Sequence, residues 1–446
     1  ALDEQDPEWA PLHAQTERLR RLDEARWVEP LAACLPSRAV WETTSRRFRQ
    51  GFVEHLESPN QAMDLRIIPS LARLTPLRSV AWRPGGEGPE QIAGDLQAAV
   101  DAGLTGATVL LGGGSLRQDA FDQVAPEVVQ GLRSFGVRSA TVHPRTVARL
   151  AQLLGPDLEA LTFGHTIIGD SGLEELAASG LLARVQRLDL RGNRLGRAGL
   201  EAMVSKRSDT PVELHLRDNV DAASGIDRLL GWRPLRLLDL VGTVDRDAVD
   251  LLLASNALLD LEELALAPDQ SWQFDADRAG VLASLPFSRL TRLTLGVCRI
   301  EASGMRALAA SEALANLVMF RAFGCQIGDR GIEALVGSPH LTRLVRLDLH
   351  GNGLTDAALY ALASWPHLRH VVRLQLGQNY DISERGWRAL IEAEHFQPTH
   401  LGVVPGLKNG ETGLWAALEE RFGADVVHED GARWPDLYPS PYPALD

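Results

Sequence analysis

The sequence predicts an α/β solenoid, in which short strand-helix units stack in one dimension into a parallel sheet with helices on one side. Three observations carry that prediction. Leu293, Phe320, Leu347 and Leu374 each open the same apolar-x-apolar step, 27 residues apart, and a fixed period of that length means stacked structural units. The step itself alternates, as a strand with one buried face requires. A small-residue signature then recurs after each step: Gly304-Met305-x-Ala307-Leu308, Gly331-Ile332-x-Ala334-Leu335, Leu359-x-Ala361-Leu362 behind Ala358, and Gly386-Trp387-x-Ala389-Leu390. It reads as a helix whose Gly and Ala lie close to the strand layer while Met305, Ile332, Leu359 and Trp387 plug between neighbours.

Written in full, the strand step is Leu290-x-x-Leu293-x-Leu295-x-x-Cys298-x-Ile300, then Leu317-x-x-Phe320-x-Ala322-x-x-Cys325-x-Ile327, then Leu344-x-x-Leu347-x-Leu349-x-x-Asn352-x-Leu354. Six positions in register, with an Asn-or-Cys place among them, resemble the leucine-rich repeat. A 27-residue unit with a full helix resembles its ribonuclease-inhibitor subclass. The resemblance implies a horseshoe with strands lining a concave face, helices outside, and protein partners on the concave side. The Asn or Cys side chain is expected to bond backbone groups where the strand turns away.

Extending the step outward gives Leu401, and upstream Leu264, Leu238, Leu214, Leu188, Leu161 and Ala140, with weaker members at Val109 and Val80, about thirteen units in all. Upstream spacing runs from 21 to 31 residues, and the Asn/Cys place becomes Thr166, Thr243 and Asp269. The expected organisation is a helical cap over residues 1–75, a repeat array over 76–404, degenerate to about 135 and regular from about 290, and a C-terminal cap helix with a Pro/Tyr-rich tail over 405–446.

The first segment carries helix-like spacing at Leu12, Leu19, Leu22, Trp27 and Leu31, then a strand-like run from Phe48 to Glu54. Together with Pro76-Leu-Arg-Ser-Val80 these resemble the repeat-companion region of some bacterial proteins, which suggests that an upstream segment is missing. At the other end, Leu414 to Phe422 reads as an amphipathic helix, and Trp434-Pro-Asp-Leu-Tyr438-Pro-Ser-Pro-Tyr442-Pro favours an extended segment that caps the last unit or recruits a partner.

Net charge is −14 over 446 residues, which argues against general nucleic-acid binding. Cys34, Cys298 and Cys325 are too few and scattered for a disulfide framework, pointing to a reducing, cytoplasmic compartment. No apolar run is long enough to span a membrane.

Site candidates are the strand residues that flank the buried pair and face outward. In the first half these are Arg187, Asp189, Arg191, Glu213, His215 and Arg217. In the second they are Arg292, Thr294, Met319, Arg321, Phe323, Arg346, Asp348, His350, Arg373 and Gln375. Such columns can stabilise strands simply as cross-strand pairs. Met319 and Phe323, however, are apolar at positions expected to be exposed, and interfaces favour aromatic residues, Met and Arg. The region from strand 293 to strand 374 is therefore the expected partner-binding patch.

Chemistry is otherwise absent from the pattern. His367-x-x-His370 lacks a third ligand, and Gly112-Gly-Gly-Ser115 lacks the lysine of a phosphate loop. Cys34 has no acid-base neighbours, and Cys298 and Cys325 read as buried thiols. No metal, cofactor or catalytic set is expected. The function that follows is a non-enzymatic scaffold or adaptor for a protein partner. The alternative is a regulatory subunit or substrate of an enzyme such as a protease.

Overall fold

The computed structural model describes residues 45–49, 52–62, 79–83, 89–101, 108–112, 115–206, 212–232, 235–268, 274–409, 413–424 and 426–429. These form two compact units that divide between Arg236 and Leu237. The helical spacing of residues 12–31, Cys34 and the Pro/Tyr-rich tail lie outside the described residues.

The first unit opens with a hairpin, β1 (Ser45–Arg49) antiparallel to β2 (Phe52–Ala62). A strand was expected there inside a helical cap; the segment is instead two paired strands. From β2 onward every pairing in the main sheet is parallel: β3 (Ser79–Arg83) and β4 (Thr108–Gly112), then β6 (Ser134–Arg138), β8 (Ala160–Gly164), β9 (Arg187–Asp189) and β10 (Val212–His215). Two short strands, β5 (Ser115–Leu116) and β7 (Thr141–Val142), pair separately with each other.

One unit differs from the sequence expectation. Ala140 does not open a strand; Phe135 pairs in register with Val109 and Leu161, and Ala140 falls in the turn beyond. The intervals on either side of Phe135 are then 26 residues each, so the 31- and 21-residue extremes came from misplacing one step. Val80 and Val109 do occupy their register positions.

The second unit comprises β11 (Leu235–Asp239), which begins two residues before the division, followed by β12 (Glu263–Leu266), β13 (Arg292–Gly296), β14 (Met319–Phe323), β15 (Arg346–Asp348), β16 (Arg373–Gln375), β17 (His400–Val403) and β18 (Val427–Glu429), all parallel. The register is the one the period predicts: Leu238, Leu264, Leu293, Phe320, Leu347, Leu374 and Leu401 stand opposite one another. The array was expected to stop after Val403. It continues for one more strand, because Val427 pairs opposite Leu401 after the helix Leu414–Phe422.

Between the strands run α1 (Pro89–Asp101), α2 (Pro126–Val129), α3 (Pro144–Leu153), α4 (Gly169–Ala178), α5 (Arg197–Ser205) and α6 (Ile226–Leu229) in the first unit. The second unit has α7 (Arg246–Ala254), α8 (Ala276–Ser284), α9 (Glu301–Ala309), α10 (Gly328–Val336), α11 (Asp356–Ala363), α12 (Glu384–Glu392) and α13 (Leu414–Phe422). Met305, Ile332, Leu359 and Trp387 are wholly buried, as the helix signature requires. Two of its glycines play a different role from the one expected. A Cβ on Gly304 would stand 3.2 Å from the Ala276 Cα, and one on Gly386 would stand 3.1 Å from the Asp356 Cα. These glycines admit the backbone of the preceding helix, not the strand layer.

A hydrogen-bonded ladder seals the turns that follow several of the strands. Asn219 accepts from the amides of Asn193 and Leu195 at 3.0 and 3.1 Å, and its amide group donates to the Leu190 and Leu216 carbonyls. Asn352 accepts from the Cys325 amide at 3.0 Å, and Asn379 accepts from the Asn352 amide at 2.8 Å. Thr166 belongs to the same ladder through its hydroxyl, which donates to Asn193 at 2.7 Å. Asp269 lies outside the described residues. The side chains thus satisfy strand-end backbone that would otherwise be buried without partners.

A second set of links joins helix starts. Asp329 accepts from both the amide and the hydroxyl of Thr355, at 2.9 and 2.7 Å, and Asp356 does the same for Ser383, at 2.7 and 2.6 Å. Thr355 and Ser383 in turn cap their own helices. This device was legible as Asp329, Asp356 and the Thr355/Ser383 pair at the repeat period, but only with the helix starts known.

Candidate functional site

The candidate surface is the sheet face of the second unit that turns away from the buried leucines. Register arranges it in rows across the strands. The first row runs Glu263, Arg292, Met319, Arg346, Arg373 and His400. The second runs Ala265, Thr294, Arg321, Asp348, Gln375, Gly402 and His428. Phe323 and His350 follow at the strand ends. All ten candidates of the second half therefore lie along one face of adjacent strands or at the strand ends.

Their exposure separates them. Arg292, Arg346, Arg373, Phe323, His350, His400 and His428 are half-buried. Arg321, at 5% exposed, and Asp348, Gln375 and Thr294 are buried, and so is Met319 at 8%. The sequence expectation that Met319 and Arg321 stand exposed is thus corrected. Met319 is flanked in register by two long side chains, Arg292 and Arg346, one strand step away on each side. Arg321 is turned onto Asp348, with Nε 3.4 Å from a carboxylate oxygen. That carboxylate also accepts from the His350 amide at 3.1 Å.

Two glycines make room on this face. The Phe323 ring lies over Gly296, where an added Cβ would collide with its tip, and the Gln375 side chain lies over Gly402 in the same way. At the row's start, Arg292 Nε reaches Glu263 at 2.6 Å.

The first unit repeats the theme. Arg187 pairs with Glu213 at 2.6 Å, and Asp189 is wholly buried against Arg191 at 2.8 Å. Burial alone would raise the Asp189 pKa. The Arg191 charge and hydrogen bond, helped by His215 and Arg138, outweigh it and hold the carboxyl below its usual value. His215 and Arg217 are buried as well.

Among the described residues, no group of three or more His, Cys, Asp or Glu could hold a metal. His367 and His370 have ring centroids 5.9 Å apart, and burial is the main cause that pushes both pKa values down. Cys298 and Cys325 are free, buried thiols with sulfur atoms 2.7 Å apart; burial, then Cys298, pushes the Cys325 thiol well up, away from the reactive thiolate. Of the Gly112–Ser115 run, Gly112 ends β4 and Ser115 opens β5, while Gly113 and Gly114 lie outside the described residues. No helix among the described residues is long and apolar enough to cross a membrane.

The family model described as "Leucine Rich repeat" matches residues 185–204 and 338–363, one segment in each unit. Those two segments are similar to leucine-rich repeats. No curated protein matches the chain. Similar solved structures include the Rad7 and Elc1 complex from yeast, 13% identical over 86% of this chain and 80% of that one with a TM-score of 0.39. Another is an internalin from Listeria monocytogenes strain 4b F2365, 16% identical over 76% of this chain and 93% of that one with a TM-score of 0.36.

Proposed function

We propose that the chain is a non-enzymatic scaffold that holds a protein partner on the sheet face of its second unit. The observation that carries this reading is the composition of that face. Across β12 to β18, four arginines oppose two acids, with three histidines and Phe323 among them, in a chain whose net charge is −14. Half-buried Arg and aromatic residues held in register on a rigid sheet are what protein interfaces concentrate at their centres.

A row of strands at roughly 4.8 Å spacing is an extended surface, suited to a folded protein or a segment of one.

The test is affinity capture from the source organism's lysate with the intact chain beside Phe323→Ser/Arg346→Ser/Arg373→Ser, all half-buried positions. Replacing the buried Met319 and Arg321 would instead test stability. Loss of a captured protein with unchanged melting supports the reading. Equal capture by both chains refutes it.

A further inference from the structure

We infer that Cys298 and Cys325 form a modification site, a thiol pair that hydrogen peroxide converts to an intramolecular disulfide joining the turns after β13 and β14. The inference stands apart from the sheet-face reading.

Placement is its first ground. The two cysteines occupy equivalent positions one repeat apart, and their sulfur atoms are 2.7 Å from each other. Backbone bonds fix that relation. The amides of Val297 and Cys298 donate to the carbonyls of Phe323 and Gly324 at 2.9 and 3.1 Å, and the Glu301 amide donates to the Cys325 carbonyl at 3.3 Å. Segments paired in this way run about 4.8 Å apart, inside the window of about 4.4–6.8 Å that a disulfide requires between its Cα atoms. Side-chain rotation therefore suffices, and the backbone keeps its course.

The second ground is that this rung of the ladder is weakly made. In the next unit Asn352 bonds in both directions, accepting from the Cys325 amide at 3.0 Å and donating to the Ala322 carbonyl. Cys325 has a single S–H to offer, with the Leu295 and Phe323 carbonyls 3.5 and 3.4 Å from its sulfur. Sulfur is a poor donor, so a disulfide gives up little.

Access is the third. Both thiols are buried, which keeps them inert while the turn is closed. The turn itself holds three non-glycine residues in the left-handed region, Val297, Glu301 and Gln326, all exposed and close in sequence to the cysteines. Strain of this kind lowers the cost of local opening, and peroxide is small enough to enter.

Cys298, beside the exposed Val297, is reached first. Its thiolate attacks one peroxide oxygen, the O–O bond breaks, and a sulfenic acid and one water result. The Cys325 sulfur then attacks the sulfenic sulfur, the S–O bond breaks, and the S–S bond forms as a second water leaves with the Cys325 proton. The two thiols lose two hydrogens, and one peroxide is reduced to two waters.

The experiment exposes the folded full chain, and a Cys34→Ser variant, to hydrogen peroxide. Each is then quenched, denatured, alkylated and mapped by mass spectrometry without reduction. In both chains the peptides carrying Cys298 and Cys325 should be linked and two hydrogens lighter than their sum, and dithiothreitol should restore alkylation at both positions. Cys325→Ser, which lacks the second thiol, should take up at least about tenfold more dimedone at Cys298 than the native chain after peroxide.

Alkylation of both cysteines after peroxide overturns the inference, as does sulfinic acid at either position in place of the link. A link from either cysteine to Cys34, or one that forms only when urea is present during oxidation, also overturns it. The mapping of the native chain decides the matter even where Cys325→Ser fails to fold.

Discussion

Replacing Asn352 by Ala should cost a large part of the stability of the second unit. Asn352 is buried, and its carbonyl oxygen accepts from the Cys325 amide at 3.0 Å and, more weakly, from the Ile327 amide at 3.4 Å. Its amide group donates to the Ala322 carbonyl and, at 3.2 Å, to that of His350. Alanine therefore strands one well-made and one weak N–H donor together with the Ala322 carbonyl, inside the fold. At about 1–3 kcal/mol for each unsatisfied buried group, the expected loss is about 3–5 kcal/mol. Asn352→Cys should lose less, about 1–2 kcal/mol, because the cysteine at the equivalent Cys325 position places its sulfur 3.5 Å from the Leu295 carbonyl. Urea unfolding followed by circular dichroism measures both values, and hydrogen exchange at the Cys325 and Ile327 amides localises the opening. A loss under about 1 kcal/mol for Asn352→Ala, or an equal loss for the two variants, would refute the ladder argument.

Other predictions follow from single contacts. The repeat-equivalent residues Gly324, Gly351 and Gln378 adopt a left-handed backbone, and Val297 holds the same conformation at φ 48° while 55% exposed; Val297→Gly should raise stability by about 0.5–1 kcal/mol, measured by urea midpoint, and destabilisation would contradict it. Gly386→Ala pushes a Cβ to 3.1 Å from the Asp356 Cα and should cost about 1–3 kcal/mol in the same assay; no cost would mean that the helices separate freely. Arg321→Ala leaves the Asp348 carboxylate buried without its partner and should cost about 3–5 kcal/mol, whereas Arg321→Met/Asp348→Leu should recover most of the loss; equal losses would argue against a desolvated pair. The pKa of Asp189 is depressed in the folded state, so it adds stability above its unfolded value near pH ~4, and that stability is lost as pH falls through the folded value. Arg191→Gln should therefore move acid unfolding to higher pH, and an unmoved midpoint would show that Arg191 does not hold the carboxylate.

Much of the fold was legible because register and period coincide. Six apolar or Asn/Cys positions per unit locate β13 to β17 from sequence, and the structure pairs Leu293, Phe320, Leu347, Leu374 and Leu401 in that order. Phe135 escaped because its unit has no Asn or Cys to anchor the register, so the later Ala140-x-Val142 step looked equivalent. The strand at Val427 escaped because its step, Val427-x-Glu429, carries an acid where the other units place a second apolar residue. On the site, sequence alternation identified the face correctly but not the exposure. Alternation along one strand contains no information about what neighbouring strands place beside Met319, which stands between Arg292 and Arg346 in register. The Arg321–Asp348 pair was visible as a juxtaposition, while its burial, which changes its role from recognition to stability, was not.

Site-specific photo-crosslinking tests the central claim most directly. Benzoylphenylalanine placed at Phe323, on the sheet face, is compared with the same group at Tyr360, which is 46% exposed on α11, in lysate of the source organism. A partner crosslinked from Phe323 and absent from Tyr360 is the predicted result. A partner crosslinked from Tyr360 and not from Phe323 would place recognition on the helices and contradict the account.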